Sequence, residues 1–334
     1  MPKTKFSLFA ALSLLCLTST SLHASPQDIN GLYVNTFGDS AQQALLFVHG
    51  GPGDESSIFE ATDAQNLANQ GYFVVVYDQR GQGRSDFSAG QTAYNYGTYS
   101  ADLLSIIQTL QLKNVALLAH SHGGAIAAHF DQSYPGVTKK IILIDAPVNL
   151  WQIFIDMKAN CTALYEKTSD TAGINKLNQT FDMILASATP SQEVETFFGI
   201  STQCGGPGGL YTAPHAASSA KGLYTTWMAA YQSSVLPALL AAPQEADPVK
   251  GFLEREQYIH FDFSQTIQSS SSQYYGIYGD EDGLFTPNTL ASIEKLLGAK
   301  HGATSFELIH GASHNVFVDQ QEAFNRALLK MLKE

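Results

Sequence analysis

The apolar run 115–118 leads into Ala119-His120-Ser121-His122-Gly123-Gly124 and then, without a linker, into the helix-like stretch 125–130. A strand that turns directly into a helix commits the chain to a sheet with helices laid against it. Strand-like runs fall near 32–37, 44–48, 72–77, 115–119 and 139–145, with helices expected near 57–70, 98–111 and 122–133. The strand rhythm resumes near 273–278 and 304–309. This alternation predicts an α/β fold with a mostly parallel, doubly wound sheet. A serine at the apex of such a turn is held in a strained conformation, and the residues two before and two after it must be small. Here they are Ala119 and Gly123, so Ser121 is the candidate nucleophile.

The run 44–48 is followed by His49-Gly50-Gly51-Pro52-Gly53. Side chains are almost absent, so the main chain can approach a substrate closely, and Pro52 fixes its own φ. A rigid loop with exposed N–H groups suits the oxyanion of an acyl-transfer intermediate. The N–H groups of Gly51 and of His122, the residue after the nucleophile, are assigned to that hole. A third segment, Asp78-Gln79-Arg80-Gly81-Gln82-Gly83-Arg84-Ser85, follows the run 72–77. Arg80 is suited to pinning carboxylates and carbonyls. No Lys-Ser/Thr helix follows the glycines, as a phosphate loop would require. The segment reads as support for the oxyanion loop.

These segments, in this order, resemble the α/β-hydrolase superfamily. More narrowly, they resemble the proline iminopeptidase family of serine peptidases, in which HGGPG and DQRGxGxS occur with this order and spacing. The resemblance runs from about Gly31 to the C-terminus, with a poorly matched middle. It departs at the turn around Ser121: the family has Gly-Gly-Ser-Trp-Gly, and this chain has Ala-His-Ser-His-Gly. That departure bears on peptidase specificity, not on hydrolase chemistry.

A serine hydroxyl needs a histidine to take its proton and an acid to orient that histidine. On the α/β-hydrolase fold their order along the chain is Ser, acid, His. His314 lies in a loop between the last strand-like run, 304–309, and a closing helix expected over 320–332. His310, at the strand end, competes with it. For the acid, Asp280, Glu281 and Asp282 crowd one turn, and Asp145 after the strand 139–144 is a further possibility. The resemblance selects Asp282, because relatives place the acid three residues after the glycine, here Gly279. Thr286 and Pro287 should open the next helix as N-cap and first-turn proline. A serine rather than an aspartate at position 121 points to acyl transfer to water, from esters, thioesters or amides.

Lys3 and Lys5, the apolar run 6–17 and the residues up to Ala24 have the three-part form of a secretory signal peptide. Cleavage is expected after Ala24, with export to the periplasm or beyond. The run is too short for a permanent membrane anchor, and Leu15 is too large to precede a lipidated Cys16. Loss of residues 1–24 removes two lysines and no acids, which takes the formal net charge from −12 to −14. That balance argues against nucleic-acid binding. Cys161 and Cys204 remain and could pair in an oxidising compartment.

The chain thus divides into a signal peptide at 1–24, an α/β-hydrolase core at 25–146 and 265–334, and a block at 147–264 without strand rhythm. The block reads as a helical cap inserted after the sixth strand, where the resemblance implies a lid. Trp151, Phe154, Tyr211, Tyr224, Trp227 and Tyr231 could line its inner wall, although packing between helices is the plainer reading. An aminopeptidase also needs carboxylates for its substrate's ammonium group; Glu193, Glu195, Glu245, Glu254 and Glu256 lie in the block. The whole reading is an exported serine hydrolase needing no metal or cofactor and acting on a short peptide or other small molecule. By resemblance it removes an N-terminal residue, often proline. A carboxylesterase or lipase acting on short or medium acyl esters is the alternative. A non-catalytic binding protein on a hydrolase scaffold is a third reading, against which the intact triad set speaks.

Overall fold

The computed structural model describes residues 26–51, 54–86, 94–186, 189–190, 192–193, 199–200, 203–204, 209–211, 252, 256 and 258–334. The signal-peptide segment, Pro52, Gly53, Tyr224, Trp227, Tyr231, Glu195, Glu245 and Glu254 lie outside the described residues.

One sheet runs β1-β2-β4-β3-β5-β6-β7-β8. Its strands are β1 Gln27–Ile29, β2 Leu32–Phe37, β3 Gln43–Val48, β4 Tyr72–Tyr77, β5 Ala116–His120, β6 Lys140–Ile144, β7 Gln273–Gly279 and β8 Phe306–Ile309. β1 and β2 are antiparallel to their neighbours at one edge, and every pairing from β4 to β8 is parallel. The short polar β1 carries no strand signal in the sequence; counting it makes β6 the sixth strand. The central strands read as unbroken apolar runs because both faces of the sheet are covered. Successive side chains point to opposite faces. Leu46, Val48, Leu117, Ala119, Ile141 and Leu143 enter one core, and Leu45, Phe47, Ala116, Leu118, Ile142 and Ile144 enter the other.

Helices close both cores. The stretch after β3 is α1 Ser57–Phe59 and α2 Gln65–Asn69, joined by a π-turn at Glu60–Ala64. α3 Tyr96–Thr109 is capped by Asn95, which accepts from the Thr98 N–H, and α4 Gly123–Ser133 follows the Ser121 turn. Between β6 and β7 come α5 Leu150–Lys167, α6 Thr171–Leu185 and α7 Ser264–Ser269. α8 Pro287–His301 opens on a Thr286 cap with proline in its first turn. α9 Val316–Asp319 and α10 Gln321–Lys333 end the chain. Among the described residues no helix is long and apolar enough to cross a membrane.

The long insertion leaves and returns through a narrow neck. Val148 to Phe263 are stapled by an isolated antiparallel bridge, Asn149 with Asp262. The Leu150 N–H donates to Phe261 O at 2.9 Å and the Phe263 N–H to Val148 O at 3.0 Å. Within the insertion Cys161 on α5 is disulfide-bonded to Cys204. Closing that 43-residue separation stabilises the fold by about 4 kcal/mol in the chain-entropy model.

Candidate active site

Parallel strands place all their C-terminal ends along one rim, which is where open α/β sheets bind ligands. His49 follows β3, Ser121 follows β5, Asp145 follows β6, Asp282 follows β7 and His314 follows β8. β3 and β5 are direct neighbours, with Val48 opposite Ala119, so the glycine loop and the Ser121 turn meet at the centre of the sheet.

The Ser121 turn is forced by its surroundings. Ser121 has φ +51°, the left-handed region that costs a non-glycine residue energy, and its N–H donates to Ile144 O at 2.9 Å. Gly123 presses against β3: a Cβ there would overlap the Val48 carbonyl. Gly50 presses from the other side, where a Cβ would stand 2.9 Å from the Ser121 Cβ. The glycine loop therefore lies in contact with the nucleophile candidate. In the first turn of α4 the Gly124 N–H turns back to Ser121 O, at 3.0 Å. No carbonyl among the described residues accepts from the His122 N–H, which sits at the positive end of the helix.

The loop is held from below by the segment after β4. The Gln79 N–H donates to His49 Nε2 at 2.9 Å, which leaves the proton on Nδ1, and Nδ1 donates to Gly50 O at 2.9 Å. Burial lowers the His49 pKa, keeping it neutral. Asp78 accepts from the Ser56 N–H and Oγ–H at 3.0 and 2.6 Å and pairs with Arg84 at 2.7 Å. Burial would raise the Asp78 carboxyl, but Arg84 and the other hydrogen bonds outweigh it and hold it below the usual range. Arg80 faces elsewhere, pairing with Asp102 on α3. Support for the glycine loop comes from Gln79, with Asp78 and Arg84 holding Ser56 just beyond it, while Arg80 ties the turn to α3.

His314 meets both of its expected partners. Its Nδ1 stands 2.7 Å from Asp282 Oδ2 and its Nε2 stands 2.9 Å from Ser121 Oγ. The carboxylate assigns the ring proton to Nδ1 and leaves Nε2 to accept from the serine hydroxyl. Asp282 and His314 are buried, and Asp282 Oδ1 also accepts from the Leu284 N–H at 2.9 Å. The competing pair goes elsewhere. His310 Nδ1 bonds Asp280 at 2.7 Å on the surface, away from Ser121. Asp145 is fully buried near Asp282 with φ +45°. It accepts from the Gly279 N–H at 2.8 Å and the Val316 N–H at 3.2 Å. Burial, with the Asp282 carboxylate nearby, pushes the Asp145 carboxyl up.

The insertion reaches the site as well. Tyr211 lies edge-on to the His314 ring, centroids 5.5 Å apart. The Gly283 N–H donates to Leu210 O at 2.7 Å. Asn160 Nδ2 donates to the carbonyls of Gly283 and Phe285 at 2.8 and 3.0 Å. The disulfide between Cys161 and Cys204 therefore braces more than the insertion, because residues beside both cysteines grip the turn that carries Asp282. Phe154 instead stacks on Phe181, Trp151 stacks on His260, and Glu193 pairs with His260. His122 has a buried ring between Tyr96, Phe252 and Tyr258, and burial drives its pKa down to about 3. Among the described residues no group of three His, Cys, Asp or Glu is placed to hold a metal ion.

A family model described as alpha/beta hydrolase fold matches residues 43–188. The chain has the α/β-hydrolase fold. It is 35% identical over 125 residues to the proline iminopeptidase of Lactobacillus delbrueckii subsp. lactis, a match covering 36% of this chain and 42% of that one. The chain thus spans under half the length of that curated relative. The proline iminopeptidase structure from Mycobacterium smegmatis superposes with TM-score 0.65 at 14% identity, covering 92% of this chain and 98% of that one. An esterase from Exiguobacterium antarcticum superposes with TM-score 0.51 at 20% identity, covering 91% and 96%. At such identities the likeness is one of fold, and it spans both peptidase and esterase.

Proposed function

We propose that the protein is an exported serine hydrolase whose Ser121, His314 and Asp282 form the catalytic triad. The unbroken hydrogen-bonded chain from Asp282 through His314 to Ser121 carries this reading. Ser121 Oγ attacks a carbonyl carbon as its proton passes to His314 Nε2. Asp282 holds the imidazole in the right tautomer and stabilises the imidazolium. The N–H groups of Gly51 and His122 receive the oxyanion, each such donor being worth roughly 10²–10³-fold in rate. The leaving group departs with the proton from Nε2, and water repeats the sequence to free the acid and restore Ser121.

The substrate reading is an N-terminal residue, proline above all, released from a short peptide. Its support is the pair of glycine-rich segments after β3 and β4 and the 35% identity to a proline iminopeptidase over 36% of the chain. Hydrolysis of short or medium acyl esters is the second reading, favoured by His122 standing in place of the family's tryptophan and by the esterase neighbour. Export is supported by the N-terminal pattern and by the Cys161–Cys204 disulfide, a bond of oxidising compartments. Labelling with a fluorophosphonate tests the nucleophile: the wild type reacts and Ser121→Ala does not. Parallel rates on prolyl-naphthylamide and nitrophenyl esters then separate the substrates. Markedly faster ester turnover sinks the peptidase reading.

A further inference from the structure

We propose that His120 is a positioning residue that sets the reach between Ser121 and His314 by gripping the main chain of the base. The inference rests on the reading of Ser121 as nucleophile and His314 as base. His120 Nε2 stands 2.8 Å from the His314 carbonyl oxygen. A carbonyl only accepts, so Nε2 carries the ring proton and donates it. Among the described residues His120 is the one side chain hydrogen-bonded to the His314 main chain.

Three parts of the site converge on this ring. It is joined covalently to Ser121 in the strained turn. It touches the oxyanion loop, where a Cβ on Gly50 would stand 3.1 Å from His120 Nδ1. It packs beside the base itself, with the two imidazole centroids 5.0 Å apart and the Phe317 ring closing the far side at 5.2 Å and 90°. The rest of the base loop is anchored on either side of His314. Asp280 accepts from the Gly311 N–H and Asp319 from the Ser313 N–H, at 2.7 and 2.8 Å. Asp145 takes the Val316 N–H just beyond. The loop has no regular ladder of its own, so the position of the imidazole depends on such side-chain anchors. His120 is the anchor that refers it to the nucleophile's own residue.

The choice of histidine follows from charge. Burial, with His314 nearby, drives the His120 pKa down to about 3, so the ring stays neutral near neutral pH. A lysine or arginine in this place would offer an N–H together with a positive charge against the base. The groups facing His314 are Asp282 from the turn after β7, Ser121 and His120 from β5, and the Tyr211 ring from the insertion. Asp54 after the glycine loop also interacts with it through space. His120 adds a donor to this set without adding charge.

The test compares His120→Gln, whose amide nitrogen can occupy the Nε2 position, with His120→Asn, which is polar but too short. The readouts are the rate of fluorophosphonate labelling as a function of pH and the downfield proton resonance of the His314–Asp282 pair. We expect the glutamine variant to label within about threefold of wild type and to keep the resonance. The asparagine variant should slow by about 100-fold, the scale of a displacement near 1 Å, and lose the resonance, with thermal unfolding of both near wild type. His120→Leu should behave like the asparagine variant. Equal labelling by the Gln and Asn variants, whether both fast or both slow, overturns the role of His120. A wild type that does not label at all overturns the underlying assignment of Ser121 instead.

Discussion

Two aspartate–histidine pairs sit side by side on the rim of this sheet, and they differ in almost everything except their geometry. Asp280 with His310 and Asp282 with His314 both close at 2.7 Å. The outer imidazole is 86% exposed, the inner one 8%. Beyond its imidazole, Asp280 takes only the Gly311 N–H among the described residues. The inner pair reaches Ser121, is roofed by Tyr211 and is anchored through Asn160, Leu210 and His120. A short contact between a carboxylate and an imidazole is therefore not what makes a site. Exclusion of water, which strengthens every charge interaction, and registry with a third group do that.

The largest effect expected from breaking this contrast is on catalysis. Asp282→Asn should lower kcat by about 10⁴-fold, the loss associated with a wrong histidine tautomer, while Asp280→Asn leaves kcat within about twofold. Steady-state turnover of a nitrophenyl ester or a prolyl-naphthylamide by the two variants decides it. Equal losses would erase the distinction between the pairs.

The disulfide sharpens the contrast next. Asn160, next to Cys161, and Leu210, hydrogen-bonded to Cys204 O, hold the turn that carries Asp282. Replacing Cys161 and Cys204 by serine should cost about 4 kcal/mol of stability at most and also lower kcat, both measured against the oxidised parent. Stability loss with full kcat would show that the bridge supports the insertion without reaching the acid.

Burial of the inner histidines has its own pH signature. His120 and His122 fold with pKa values of about 3, far below an ordinary histidine. Between roughly pH 6 and pH 3 the unfolded chain therefore binds protons that the folded chain refuses. The contribution of these two rings should be full above about pH 6.5 and fall as the medium is acidified, by about 1.4 kcal/mol per pH unit for each ring, against an opposite slope from Asp63 and Glu55, whose carboxyls burial raises to about 7. Urea titrations of wild type and His120→Gln at pH 4 to 7 measure the slope, which should be shallower in the variant. Equal slopes would mean that the ring is open to protonation in the fold. The smallest effect belongs to the outer pair. His310→Gln should change stability by under about 1 kcal/mol, as exposed pairs do, and should leave the labelling rate of Ser121 unchanged.

Much of this site was open to reading before any coordinates. Small residues around Ser121 and the bare loop after β3 are local steric requirements, and Gly123 against Val48 and Gly50 against Ser121 show why no side chain fits there. The unbroken apolar strands declared a sheet covered on both faces. The acid was harder. Asp280 and Asp282 are two residues apart in one turn, and which of them meets an imidazole depends on the path of a loop thirty residues away in sequence. The resemblance, not the residues alone, pointed to Asp282. The parts of Asp145 and His120 were not legible, because each acts on backbone groups that only the parallel order of β5, β6, β7 and β8 brings near. The short β1 was missed for a different reason: three residues with two polar side chains carry no period.

The stapled neck between Val148 and Phe263 has a practical consequence. β6 and β7 are adjacent, so everything between them leaves and re-enters the sheet about one strand spacing apart, near 5 Å. The triad candidates and the glycine loop all lie outside that excursion. Such a layout makes the insertion an exchangeable module, provided that a foreign segment joined at the same two points also replaces the grip of Asn160 and Leu210 on the turn that carries Asp282. Chimaeras that keep this grip would test whether the insertion selects the molecule acted on, as the proposed function implies.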